Sequence, residues 1–209
     1  MDFTPETMQW RDAYKLLIGS VLPRPIAFVS TINKDGIANA APFSFFTVIS
    51  AEPMLVCFSP MRRGTDGSKK DTLMNIEATG QFVINIVSEA MAEQMNMCAT
   101  ELPPEVDELE VSGLTKEPSA KVKPPRIKES MVHLECELFE THHYGDQPGS
   151  GSLVIGKVVH IHLDDSLYDS GRILTDKLQP IGRMAGNIYT RPLASTFEIK
   201  RIVRQGEVR

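Results

Sequence analysis

Two stretches of this chain carry residue types that suit a phosphorylated, flat ligand. In "GSKKDTLMNI", residues 67–76, two lysines stand directly before what reads as the start of a helix. A helix N-terminus offers unpaired backbone N–H groups and a partial positive charge, so it takes anions readily. Lys69, Lys70 and the Thr72 hydroxyl would complete a phosphate site. The same residues also read as an ordinary capped helix with its lysines in solvent, and Asp71 supports that reading unless its carboxylate is occupied in capping. In "NAAPFSFF", residues 39–46, small and polar residues sit among phenylalanines. Small side chains let a flat ligand approach the backbone, Asn39 offers donors and acceptors, Ser44 offers a hydroxyl and Phe45 an aromatic face. Alternatively, Ala40 and Ala41 sit where strands cross tightly and the phenylalanines are core. A rival chemistry lies in His160 and His162, which share one strand face, with His133 on a candidate neighbouring strand. That spacing suits a metal on a β-barrel, but also a solvated histidine pair. His142 and His143 read as turn surface.

These residues need a scaffold of short strands. A short helix near Asp12–Ile18 precedes a strand at 25–31, and "NKDG" supplies a hairpin turn. Strands follow near 37–41, 43–49 and 54–59, then a polar loop over 61–71. A helix over 71–80 starts with Asp71 or Thr72 as N-cap and stops at Gly80. A strand at 81–87 leads into a helix from Ser88 through Ala99. The acidic, proline-rich 100–126 segment reads as a surface excursion with one helical turn near 103–109. "MVHLECELFE" (131–140) alternates, with Val132, Leu134, Cys136 and Leu138 on one face and His133, Glu135 and Glu137 on the other. It pairs through a turn with 153–163, and a last strand is expected at 195–201. The pattern predicts a mainly β, mostly antiparallel barrel with short helices outside. No glycine-rich dinucleotide turn follows a strand, which argues against a Rossmann fold.

The 209 residues predict one domain, 1–209, with a C-terminal extension over 164–209. The net charge of −5 is spread along the chain, with no basic face for nucleic acid. Apolar runs are strand-sized, so no membrane span is expected, and the polar N-terminus lacks a secretory signal. Cys57, Cys98 and Cys136 are widely spaced and odd in number. They read as buried free thiols in a reducing, cytoplasmic compartment.

Taken in order, "RPIAFVST", "DG", "NAAPFSFF", "EPMLVCFSP", "KKDTLMNIEATGQFVINIV" and "LVIGKVVHI" resemble the flavin reductase-like, FMN-binding split-barrel family, which includes flavoredoxins. The resemblance runs from Tyr14 to Leu163, and "GRMAGNIYTR" (182–191) is similar to its C-terminal segment. It implies a homodimer with FMN near the interface. By position, Asn39, Ala40, Ala41, Ser44 and Phe45 would line the isoalloxazine and ribityl chain. Ser59, Arg62, Lys70, Asp71 and Thr72 would surround the phosphate, and Arg183 would add a contact from the tail. The implied activity passes electrons from NAD(P)H or a protein donor through FMN to a flavin or another acceptor. The alternatives are an FMN storage or relay protein and a metal-dependent barrel enzyme using His160 and His162. Many flavin reductases of the family carry an Asp-His pair shortly before the glycine matching Gly156. Here Ser150 and Gly151 stand instead, which weakens the reductase reading more than the FMN reading.

Overall fold

The computed structural model describes residues 1–199. Helix α1 (Trp10–Ser20) places Trp10, Tyr14 and Ile18 at four-residue spacing, and these half-buried side chains face the barrel. Strands β1 (Ala27–Ile32) and β2 (Ala38–Phe43) form a hairpin. Its turn is closed by Asn33 Oδ1, which accepts from Asp35 N and Ile37 N, and by Gly36 at φ 82°. Strands β3 (Phe46–Ala51) and β4 (Met54–Phe58) form the next hairpin. Helix α2 (Asp71–Thr79) ends at Gly80, whose φ of 70° suits a left-handed cap. Its N-cap position is Lys70, with no side-chain cap, so neither Asp71 nor Thr72 caps it as expected. Strand β5 (Gln81–Ile86) follows, then a 3-10 turn at Glu89–Met91 and helix α3 (Ala92–Met97).

Helix α4 (Glu108–Ser112) and the two-residue strands β6 (Lys116–Glu117) and β7 (Arg126–Ile127) occupy the segment read as surface. The structure corrects that reading. Leu109, Leu114, Val122 and Ile127 are buried, and all but Val122 join one apolar cluster with Phe28, Met91 and Met95. The long strands β8 (Val132–His143) and β9 (Ser152–Leu163) complete the main sheet. Beyond them lie the hairpin β10–β11 (Tyr168–Asp169, Arg172–Ile173), helix α5 (Thr175–Leu178) and the hairpin β12–β13 (Gly182–Arg183, Tyr189–Thr190). The tail packs back on the barrel through the Arg24–Arg183 and Ser88–Pro180 bridges. Residues 195–199 form no strand, and the remainder of that expected strand, 200–201, lies outside the described residues.

All neighbouring strands of the seven-stranded sheet run antiparallel, in the order β2-β1-β5-β8-β9-β4-β3. β2 and β3 are its two edges, yet only Ser44 and Phe45 separate them in the chain. Two residues reach no more than about 11 Å between flanking Cα atoms. The sheet must therefore curl until its edges nearly meet, a split barrel with "NAAPFSFF" at the split. Inside it, Ala27, Val29, Val56, Phe58, Phe82, Ile84, Cys136 and Val154 pack with Leu73 and Ile76 of α2. Gly156 is glycine because Phe82, two strands away in the sheet, fills the space a Cβ would need.

The outward face of β1, β5 and β8 is buried as well. Residues 118–127 strap across it and meet its polar side chains with backbone groups. Glu135 accepts from Ala120 N (2.8 Å) and Lys121 N (2.6 Å), and Asn85 Oδ1 accepts from Ile127 N. His133 Nε2 bonds the Ile127 carbonyl, and Ser30 donates to Pro125 O. The alternation expected for β8 is present, but its polar face is wet only at Glu137; His133 and Glu135 are buried.

Candidate functional site

Three adjoining clefts share Pro42 and form one groove along the split. Its wall is β2, whose alternation decides what the groove sees. Asn39, Ala41, Pro42 and Phe43 line it. Ala40 does not. Its side chain is fully buried in the apolar cluster with Phe28, so only its backbone is near the groove, which corrects the expectation from position. Ser44 and Phe45 at the strand switch line the middle, with Tyr14 from α1 opposite. The Tyr14 and Phe45 rings are 6.4 Å apart.

One end of the groove is cationic. Arg63 and Lys70 line both clefts there, together with the first turn of α2. The first N–H of that turn to find an acceptor is Leu73, on the Lys70 carbonyl at 3.0 Å, which leaves those of Asp71 and Thr72 without an intrahelical partner. Asp71 binds Arg63 at 2.6 Å, and Glu101 bridges Arg63 and Lys70. These two ion pairs hold the Glu101 carboxyl below its usual range, the Lys70 bond foremost. Ser59 lines the same end. Arg62 also lines it, but its guanidinium donates to the carbonyls of Gly145 (3.0 Å) and Gly67 (2.8 Å) and so fastens loops together. Lys69 is turned away, paired with Glu77 at 2.7 Å.

Thr72 is buried, and its hydroxyl donates to Asn39 Oδ1 at 2.8 Å. It thereby positions Asn39, while Thr72 itself lines the cleft with Arg63 and Lys70. Asn39 Nδ2 in turn donates to Glu108 Oε1 at 2.7 Å. Thr31 and Asn75 continue the chain behind, with Asn75 donating to Thr31 and Thr31 to Asn39. The Glu108 side chain is in the groove wall, 6% exposed, and its Oε2 has no partner. Burial pushes this carboxyl up from its ordinary value against the pull of Asn39.

Arg183 lies away from Arg63 and Lys70. It lines the cleft on the other side of Pro42 and Ser44, with Arg24, Tyr14 and Tyr189. Arg63, Glu101, Glu108 and Arg24 were not expected from the residue pattern. Arg24 begins "RPIAFVST" and was the one within reach of that quoted motif; nothing local marks Glu101.

The histidines do not gather. The His160 and His162 ring centroids are 6.3 Å apart and His133 and His162 5.9 Å apart, and Nε2 of His133 is taken by a carbonyl. Among the described residues no group of three or more His, Cys, Asp or Glu side chains is placed to hold a metal ion. His142 and His143 end β8, and His143 contacts Glu77 and Ser152. Among the described residues no helix is long and apolar enough to cross a membrane.

A curled antiparallel barrel whose split holds a small-residue slot with cations at one end defines a flavin-binding split barrel. The chain belongs to the flavin reductase-like domain family, whose model matches residues 18–178. An uncharacterized protein of Halalkalibacterium halodurans is 42% identical over 203 residues, 96% of each chain. Among solved structures, nitrilotriacetate monooxygenase component B from Bacillus cereus is 38% identical with a TM-score of 0.90, covering 95% of this chain and 98% of that one. The 2-nitrobenzoate 2-nitroreductase of Pseudomonas fluorescens is 31% identical with a TM-score of 0.83, covering 100% and 99%. The family implies a flavin cofactor, and the residues present fit one. The slot beside Ala41, Ser44 and Phe45 suits a flat ring, and Lys70, Arg63 and two unpartnered backbone N–H groups suit an anionic tail.

Proposed function

We propose that this protein binds FMN in the groove and passes electrons from NAD(P)H or a protein donor to a flavin or other acceptor. The supporting observation is the convergence of Arg63, Lys70 and the free N–H groups of α2 at the end of the β2 slot. Bound FMN would supply the hydride and electron chemistry. The protein's residues bind and orient. Lys70, Arg63 and Ser59 hold the phosphate, with Glu101 displaced from the two cations. Ala41, Ser44 and Phe45 bound the ring, and Asn39, fixed by Thr72 and Glu108, presents its amide to the slot. Arg62 secures the loops around the phosphate.

The working unit is a homodimer in a reducing, cytoplasmic compartment. Supporting this are exposed Val48, Ile49 and Met54 on the edge hairpin β3–β4, and three buried, unpaired cysteines. Protein purified from cells should be yellow and release FMN, not FAD, on denaturation, as chromatography of the released cofactor reads directly. Colourless protein that refuses added FMN would overturn the reading, and a 23.2 kDa monomer holding FMN in sedimentation would overturn the dimer.

A second reading, FMN storage or relay without nicotinamide turnover, is favoured by Ser150 and Gly151 at the place of the Asp-His pair. Anaerobic bleaching of the bound flavin by NADH or NADPH decides between the two. Rapid bleaching supports the reductase; its absence supports the carrier.

A further inference from the structure

The cleft beyond Ser44 has a charge balance unlike the phosphate end. There, Arg63 and Lys70 are met by Asp71 and Glu101. Here no Asp or Glu lines the wall among the described residues, although two guanidinium groups do. Arg24 is buried and, among the described residues, donates only to neutral partners: the carbonyls of Ile18 (2.7 Å), Val21 (3.1 Å) and Met184 (3.0 Å), and Ser44 Oγ at 3.3 Å. Its charge is therefore held in place and left uncompensated. Burial lowers its pKa, and the nearby charge of Arg183 adds to that against Tyr14. Arg183 stacks over the Tyr189 ring with its guanidinium carbon 4.6 Å from the centroid, and it donates to Tyr189 Oη and to the Gly186 carbonyl. Among the described residues it too meets only neutral acceptors.

The rest of the lining is apolar or aromatic, including Tyr14, Ile18 and Met95. The cavity measures about 200 Å³. That is below the roughly 300–1,000 Å³ of pockets for drug-sized ligands, so this part of the groove suits one ring and a small substituent. A concave, cationic wall with aromatic sides selects an anion with a flat body.

We propose that this cleft binds a small planar organic acid, its carboxylate on Arg183 in the field of Arg24 and its ring against Tyr14, Ile18 and Met95. The acid would lie next to the ring slot, and that placement relative to a flavin alone rests on the flavin reading above.

The test is calorimetric titration of the purified protein, with and without added FMN, with benzoate and with its uncharged counterpart benzamide. FMN binding is measured on the same samples. Benzoate should bind at least tenfold more tightly than benzamide. Arg183→Gln should remove that preference, and Arg183→Lys should keep part of it; thermal melting checks that both variants are folded. Equal binding of the two ligands, no benzoate binding at millimolar concentration, or an unchanged preference in folded Arg183→Gln would overturn the proposal. Wild-type protein that prefers benzoate but takes no FMN keeps the acid site and removes the flavin reading instead.

Discussion

The outward face of β1, β5 and β8 and the free edge of β2 both place polar side chains where a barrel is expected to be apolar. Under the strap, Ser30, Asn85 and Glu135 are each answered by the chain itself, down to two backbone N–H groups on one carboxylate, and His133 Nδ1 is the one buried polar atom left over there among the described residues. Along the groove the accounts stay open. Glu108 Oε2 has no partner, two N–H groups of α2 have no intrahelical acceptor, and Arg24 and Arg183 meet no carboxylate among the described residues. Buried polar groups are almost always satisfied, so the closed set reads as architecture and the open set as a place for a ligand. Polarity alone does not separate the two regions; the bookkeeping of partners does.

Substitutions on either side can break that contrast. The largest effect is expected from Glu135→Ala. It removes a fully buried carboxylate and leaves the Ala120 and Lys121 N–H groups of the strap without their acceptor, and unmet buried donors cost about 1–3 kcal/mol each. Urea denaturation should show a loss of several kcal/mol, while folded protein keeps its relative preference for FMN over riboflavin. A loss of that preference would mean that the strap belongs to the site. Next comes Arg63→Ala with Lys70→Ala. Charge-assisted bonds are worth roughly 1.5–3 kcal/mol each, so FMN affinity should fall more than tenfold and riboflavin affinity little. Equal loss for both ligands in fluorescence titrations would reduce these residues to supports of the loop.

Glu101→Gln should act in the opposite direction. Removing the carboxylate that competes for Lys70 and Arg63 should tighten FMN about threefold, the scale of a partly exposed ion pair. Unchanged or weaker FMN binding would show that Glu101 organises the site and does not occupy it. The smallest effect belongs to Glu108→Gln and is visible only against pH. A carboxyl whose folded pKa is raised contributes stability that is present below its unfolded value and lost as pH rises through the folded one. Wild-type stability should therefore decline from about pH 4 upward along this component, and the glutamine variant should lack it. Parallel urea midpoints for the two proteins across that range would refute the assignment.

Much of the barrel was legible because local chemistry and global need coincide. Asn33 to Gly36 must turn, Gly80 must stop a helix, and the strands show along the chain in their β-branched and alternating runs. The strap was not, because its partners are far apart and its signal misleads. A strand reading Val-His-Leu-Glu-Cys-Glu alternates like a wet face, and only residues 118–127, rich in proline and lysine, show that two of its polar positions are covered. The site was legible as a neighbourhood but not atom by atom. "MRRG" gives no reason to choose Arg63 over Arg62, a choice made by which guanidinium reaches Asp71 and which reaches loop carbonyls. Ala40 and Ala41 look alike in the chain, yet the pleat sends one to the core and the other to the groove.

Trp10 is the chain's single tryptophan. Its indole lies so close to Gly149 that a Cβ there would approach it to 2.6 Å, and its outer edge faces Gly64, beside the cationic end of the groove. Arg11 lies over the ring and donates to the Gly64 carbonyl. The protein thus carries its own optical gauge. Its emission would dim by energy transfer as a yellow chromophore fills the groove, with no label attached.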